Sequence, residues 1–394
     1  MIRSVSLQTT SIDDIDLAVE EIANQLKQGP TLLRNSVGIV QCDPEFIEEG
    51  IMPLLYDRLG IMMVGGTTVA VAANNEVGNH MFSMMVLTSD DVEFVAGHTT
   101  GLVENYESAI GKSMKTALGM SEQPLKLALL FPTVTDNESL PGDCYVEAVE
   151  KVCGDVPVFG TLSVDDAVRD FDRSMSVYNG EHFKREATYV LIFGNVDPRF
   201  YVATVPAQTN LGGEDAVVTK ADGHIVQEIN NMLARDYFES VGLAENGNFK
   251  PGVYFVPFLV SKVDSEGIAR TFVRALIAFD ENGYVSFRGK VPEQAVLSVA
   301  SLGADDILNA TTEVVKQIAD LDNVQTVMIF SCIIRQLCIG SDPMKELAQI
   351  KDILRGDVPF LASYSGGEIS PIGCDVRGRS LNAFHNYSLI ACLL

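Results

Sequence analysis

GDVPVFG at residues 154–160 and GDVPFLA at 356–362 are nearly the same phrase, and each joins a helical pattern to an apolar strand that ends in small residues. Worked outward, the phrase belongs to a pattern that occurs three times: apolar strand, helix, second apolar strand, later strand. The first copy reads SVGIVQ (36–41), CDPEFIEEGIMPLLYDRLG (42–60), IMMVGGTTVA (61–70) and MFSMMVLT (81–88). The second reads LKLALLF (125–131), DCYVEAVEKVCGD (143–155), VPVFGTLSVDD (156–166) and ATYVLIFG (187–194). The third reads VQTVMIFS (324–331), DPMKELAQIKDILRGD (342–357), VPFLASYSGGE (358–368) and FHNYSLIACLL (384–394). Asp43 and Asp342 each precede a proline, which suits a helix N-cap followed by proline at the first helical position. Each unit reads as a right-handed βαβ crossover. Parallel pairs are therefore expected between 37–41 and 61–64, between 125–131 and 157–160, and between 325–330 and 358–362.

Between the second and third copies the texture changes. VVTKADGHIVQEI (217–229) and ALIAFDENGYVSFRG (275–289) are each two extended runs around DG or NG, the hairpin signal. The expected fold is α/β, with repeated βαβ units, mixed sheets and added hairpins. Leu211-Gly212-Gly213 is the expected linker between two modules, 1–210 and 211–394. Further helices are expected near 12–27, 103–119, 230–241 and 304–319.

The chain has 394 residues, 47% of them hydrophobic, and a formal net charge of −25. That length and apolar content suffice for a large folded core. The apolar runs break well short of the ~20 residues of a membrane helix, and the N-terminus, MIRSVSLQTTSIDDID, lacks the apolar stretch of a signal peptide. The cytoplasm is the expected compartment. The acidic balance and the lack of a basic stripe argue against nucleic acid and anionic membrane surfaces as partners. The seven cysteines form no CxxC pair and no Cys/His cluster at zinc spacing, which suits free thiols and no metal site.

In order along the chain, VGGTT (64–68), LLFPT (129–133), VPVFGTLSVDD (156–166), FSCIIR (330–335), SYSGGEISP (363–371) and FHNYSLIACLL (384–394) resemble the FIST family, named for F-box and intracellular signal transduction. The resemblance implies a FIST N-like and a FIST C-like module in a ligand-sensing protein of bacterial type. It implies an amino acid or similar small polar metabolite as ligand, and a separate partner such as a histidine kinase, a diguanylate cyclase or a chemoreceptor. Some relatives are similar to haem-based nitric oxide sensors, so haem stands as an alternative cofactor.

In parallel sheets, ligands bind beyond the carboxyl ends of strands. The segments expected there in the third unit are Ser331 to Arg335 and Ser363 to Glu368. Arg335 offers a fork to an anion and Glu368 a carboxylate to a cation, a pair matched to a zwitterion. Gly366 and Gly367 allow backbone N–H groups to approach a ligand closely. Ser365 aligns with Ser163, and Glu368 with Asp166, which makes Ser163 and Asp166 a secondary candidate site. The bland alternative is that Arg335 and Glu368 pair with each other or face solvent. Cys332 is a candidate nucleophile for a hydrolase, although no basic partner is near it in sequence and a packed thiol is the commoner use. Strand alternation turns His385 away from Phe384 and toward the crevice, while His80, His98, His182 and His224 suit local hydrogen bonds. Tyr364 suits packing. The trio Gly366-Gly367-Glu368 resembles the start of the diguanylate cyclase signature, but only 26 residues follow Glu368 in this sequence. GxxxxGKS, HExxH and GxSxG are absent. No catalytic residue is assigned.

Overall fold

A computed structural model describes every residue except 75, 135–139, 166–171, 205–208, 211–215, 264–268, 301, 355–357 and 376. All three expected parallel pairs are present. Strand Asn35–Cys42 pairs with Met62–Thr67, Leu125–Pro132 with Val158–Thr161, and Val327–Cys332 with Phe360–Ser365. The fourth strands Phe82–Ser89, Ala187–Phe193 and Leu389–Leu393 each flank the first strand of their unit antiparallel. Beyond them stand the edge strands Arg3–Thr9, Glu93–His98 and Arg199–Ala203, again antiparallel.

The sequence did not disclose how the units close on one another. After its second strand each unit extends a hairpin into the sheet of the preceding unit, in cyclic order. Hairpin Val71–Ala73/Glu76–Gly78 pairs with Phe360–Ser365 of the third unit. Hairpin Ser176–Tyr178/Glu181–Phe183 pairs with Met62–Thr67 of the first. Hairpin Glu368–Cys374/Ser380–His385 pairs with Val158–Thr161 of the second. Three six-stranded mixed sheets result, each built from two units.

Strand alternation explains the core. Ile39, Leu129, Phe131, Phe159, Met328 and Phe330 point inward, where the three sheets meet in one cluster. Phe330 stacks on Phe159 with ring centroids 5.3 Å apart and meets Phe131 edge-on at 6.3 Å. Their neighbours Val40, Leu130 and Ile329 point outward under the helices of their own units. Strands buried on both faces read as continuous apolar runs, which is why the repeat was legible.

The helices follow the expected pattern with three corrections. Asp43 caps Pro44–Glu48 by accepting from the Glu45 N–H at 2.9 Å. The first crossover is split at Gly50, which adopts φ 86, and resumes as Ile51–Leu59. Asp342 is not an N-cap. Its carbonyl accepts from the Lys345 N–H at 3.1 Å, closing a turn with Pro343 inside, and the helix Lys345–Ile353 starts after that turn. The segment after Val327–Cys332, expected as a loop, is the helix Ile333–Ile339. Single helices occupy Gly142–Cys153 in the second crossover and Ile15–Gln28, Tyr106–Leu118 and Ala304–Ala319 before the units.

Both expected hairpins of the middle segment form, Ala216–Asp222 with Ile225–Ile229 and Leu276–Phe279 with Val285–Phe287. They belong to a nine-stranded antiparallel sheet that starts at Thr209–Asn210 and ends at Val296–Val299. This sheet has its own core around Phe238, Phe258 and Phe287 and interrupts the third unit between its edge strand and its first helix. The expected linker Leu211-Gly212-Gly213 lies outside the described residues.

Gly160 shows how closely the strands approach. A Cβ there would lie 1.9 Å from the Leu130 carbonyl oxygen. Gly160→Ala is therefore expected to destabilise by about 1–3 kcal/mol or more in urea unfolding, whereas Gly78→Ala, whose Cβ meets nothing closer than 3.8 Å, stays within about 0.5 kcal/mol. Equal stability of the two variants would contradict this packing.

Candidate functional site

The open crevice expected at the strand ends is filled by protein. The third hairpin begins at Glu368 and covers the end of Val158–Thr161, pairing Glu368 with Thr161 and Ile369 with Gly160. Ser365 is fully buried, accepts from the Thr161 hydroxyl at 2.6 Å and donates to the Gly367 carbonyl at 2.7 Å. Gly366 donates its N–H to the Leu162 carbonyl at 2.9 Å. A Cβ at Gly367 would come within 2.5 Å of the Phe384 ring, and one at Gly366 within 2.3 Å of Val134. Close packing, not ligand approach, thus explains the two glycines. Ser163 is buried with its hydroxyl unpartnered, and Asp166 lies outside the described residues.

Arg335 does not face Glu368 as half of a zwitterion clamp. Its helix turns the guanidinium inward, where Nη2 and Nε meet Glu346 Oε1 at 2.7 and 3.1 Å, and both residues are completely buried. Arg335 Nη2 also donates to the Thr311 hydroxyl at 2.9 Å, and Glu346 Oε2 accepts from the Ser331 hydroxyl at 2.9 Å. The expected shared crevice fails because Ile333–Ile339 is a helix, whose first turn carries Arg335 to Glu346. Tyr364 packs as expected, its hydroxyl on the Pro343 carbonyl at 3.1 Å.

Glu368 is the exception in this satisfied interior. Among the described residues it is the one charged side chain whose polar atoms are all buried without a hydrogen bond. Burial pushes its carboxyl well above the usual range, opposed chiefly by the Arg335 charge. The Ser388 N–H, the Ser365 hydroxyl and the Cys332 thiol lie near enough to favour its charged form, yet none reaches hydrogen-bond geometry. Cys332 ends its strand, donates its N–H to the Ser388 carbonyl at 2.9 Å, and has its thiol pushed well up by burial and then by Glu368. Such a thiol stays protonated and makes a poor nucleophile. Beyond Gly366 a cavity of about 20 Å³, lined also by His224 and Arg288, has room for about one water molecule.

His385 sits opposite Glu368 on the neighbouring strand, on the same face of the hairpin. Its Nε2 lies 3.1 Å from the Ser370 carbonyl, and burial lowers its pKa to about 4. Haem ligation through Nε2 would require breaking that contact. Among the other histidines, His98 stacks on Phe183 with centroids 4.4 Å apart, and His80 Nδ1 meets Asp43 at 3.2 Å. His80, Asp43 and Glu45 could gather round an ion, but they are largely exposed and Asp43 already caps a helix.

His385 and Ser388 are among the residues that line a cleft of about 1050 Å³. One wall is the inserted sheet, through Thr271 and Phe272; the other is the edge strand Arg199–Ala203, through Phe200, with Lys126 and Asp197 also on the lining. The cleft was not foreseen, since it depends on where the insert docks. Arg274, 2% exposed, fixes that docking by donating to Asp143 at 2.9 Å and to the Phe384 carbonyl at 3.0 Å. Lys290 adds Glu147 at 2.6 Å, and the Tyr387 hydroxyl donates to the Tyr254 carbonyl at 3.0 Å. An arginine in the apolar run TFVRAL was the sequence signal available.

Family models for the FIST N domain and the FIST C domain match residues 36–232 and 232–371. No curated protein matches the chain. Among solved structures, PurLQS from Thermotoga maritima aligns at 11% identity over 100% of this chain and 71% of that one, with a TM-score of 0.21. T. maritima PurL complexed with ATP aligns at 13% identity over the same shares, with a TM-score of 0.18. Likenesses this low carry no argument about fold. Among the described residues, no helix is long and apolar enough to cross a membrane.

Arg335→Met leaves Glu346 buried and uncompensated and should cost about 3–5 kcal/mol in chemical unfolding; the double variant Arg335→Met/Glu346→Leu should be more stable than the single one, and a neutral single variant would contradict the ion pair. For Glu368 the sign is set by its raised pKa. The native state keeps the proton where the unfolded state has lost it, so the stability it contributes is present below about pH 4.5 and is lost as pH rises toward the native pKa. The stability of Glu368→Gln relative to the parent should climb by about 1.4 kcal/mol per pH unit above pH 5. A pH-independent difference would mean that Glu368 is ionised in the fold.

Proposed function

Since the chain belongs to the FIST domain family, a family associated with sensing in signal transduction, we propose that it senses an amino acid or similar small polar metabolite bound in the cleft between the inserted sheet and the three-unit body, and signals through a separate protein. The observation that supports this most is the make-up of the cleft, whose walls come from different parts of the chain. Lys126 comes from the second unit, Phe200 from the edge strand of the third, Thr271 and Phe272 from the insert, and His385 from the exchanged hairpin. A ligand touching all of them changes the free energy of the insert's position relative to the body, and that position is what a partner can read. About 1050 Å³ is ample for a metabolite. Phe200 and Phe272 supply apolar surface, while Lys126 and Asp197 supply one charge of each sign for a zwitterion.

The hydrolase alternative loses support from the protonated state of Cys332, and the haem alternative from the contact that holds His385 Nε2. Histidine kinases, diguanylate cyclases and chemoreceptors remain the partner classes proposed.

The test is a thermal-shift screen of amino acids. At least one should raise the melting temperature, since a ligand at 100 times its dissociation constant stabilises by ~2.7 kcal/mol. Thr271→Arg, at an exposed position on the cleft wall, should abolish the shift while leaving unliganded stability within about 0.5 kcal/mol. A shift that survives Thr271→Arg places the ligand elsewhere, and no shift across the screen removes amino acids as the class.

A further inference from the structure

Glu368 is not among the residues lining the cleft, although a carboxyl buried with both oxygens unpartnered is costly to keep. It lies beside His385 on the same face of the hairpin, and next to Ser388; both of these line the cleft while Glu368 itself is fully buried. Glu368 is thus the buried cross-strand neighbour of a residue that lines the cleft. Resting on the cleft as the ligand site, we infer that Glu368 anchors a cationic nitrogen of the ligand, a primary ammonium or a guanidinium, and that binding releases the carboxyl proton to solvent.

The charges around Glu368 favour such an exchange. The groups facing it are Cys332 from the end of its strand, Arg335 from the following helix and His385 from the paired strand, with Tyr387 and Arg288 beyond Cys332. Of these, the cysteine and the tyrosine are held protonated and the histidine neutral by burial. Arg335 is already neutralised by Glu346. At Glu368 burial outweighs the opposing charge of Arg335 and keeps the carboxyl as the acid. An N–H donor entering from the cleft displaces His385 or Ser388, gives the two empty oxygens their hydrogen bonds and supplies the charge that stabilises the carboxylate. The exchange balances: carboxylic acid plus ligand cation give an ion pair and one free proton.

Infrared spectroscopy tests this without knowing the natural ligand. Wild-type protein at neutral pH should show a carboxylic-acid carbonyl band that disappears in Glu368→Gln; Glu368→Asp, which moves the band instead of removing it, gives the assignment if the Gln variant fails to fold. Methylammonium and guanidinium should each bleach the band, and tetramethylammonium, which has no N–H, should not. The apparent affinity for methylammonium should rise about tenfold per pH unit, as release of one proton requires. A missing band in unliganded protein, or a band that persists when methylammonium saturates, overturns the inference. If an amino acid raises the melting temperature through the cleft while both probe cations leave the band intact, the cleft reading stands and the role of Glu368 falls. If neither amino acids nor probe cations bind, both fall.

Discussion

The backbone pairing of each hairpin with the sheet of the preceding unit is the constraint on which the rest of this structure depends. Leu361–Ser363 receive Val71–Ala73, Val64–Gly66 receive Ser176–Tyr178, and Gly160–Thr161 receive Glu368–Ile369. Without these pairings each second strand would expose a sheet edge and each strand end an open crevice. With them, three βαβ units close into one body around Phe131, Phe159 and Phe330. A parallel pair of this kind elsewhere ends in a ligand pocket; here the carboxyl ends are occupied by the protein's own hairpins.

That closure moves the chemistry. The third hairpin pairs Glu368 with Thr161 and brings His385, on the same face, to the cleft lining, and its corner at Asn386 and Tyr387 is also where the insert docks. One short segment therefore connects three things: the sheet of the second unit, the buried carboxyl and the wall of the cleft. Arg274 and Lys290, bonded to Asp143 and Glu147 of the helix behind it, tie the opposite wall to the body. In the proposed sensor no long-range pathway is needed, because the cleft and the contact between insert and body share residues.

The parts of this architecture that depend on local pattern were legible in the sequence. Alternation between Ile39 and Val40 or between Leu129 and Leu130 encodes strands buried on both faces, and Asp43-Pro44 encodes a cap whose geometry the structure reproduces. The parts that depend on contacts distant in sequence were not. Val71–Ala73 is too short to signal a hairpin, and nothing local says that it joins Leu361–Ser363. Arg335 and Glu368 were expected to clamp a zwitterion in one crevice, but the carboxylate that meets Arg335 is Glu346, brought there by a helix that the phrase FSCIIR gave no reason to expect. The site residues chosen from the third unit do gather, since Ser365, Cys332 and His385 all surround Glu368; they gather in an interior, whereas an open loop cluster had been expected.

The claim that three exchanged hairpins make one cooperative body is tested most directly by native-state hydrogen exchange on the strands Asn35–Cys42, Leu125–Pro132 and Val327–Cys332. Closure predicts that their slowest amides share a single opening free energy, even though the inserted sheet separates the third strand from the other two in sequence, while the insert opens at a lower one. If Val327–Cys332 opened together with the inserted sheet and ahead of the first two units, the chain would be two successive modules and the closed three-unit body would be wrong.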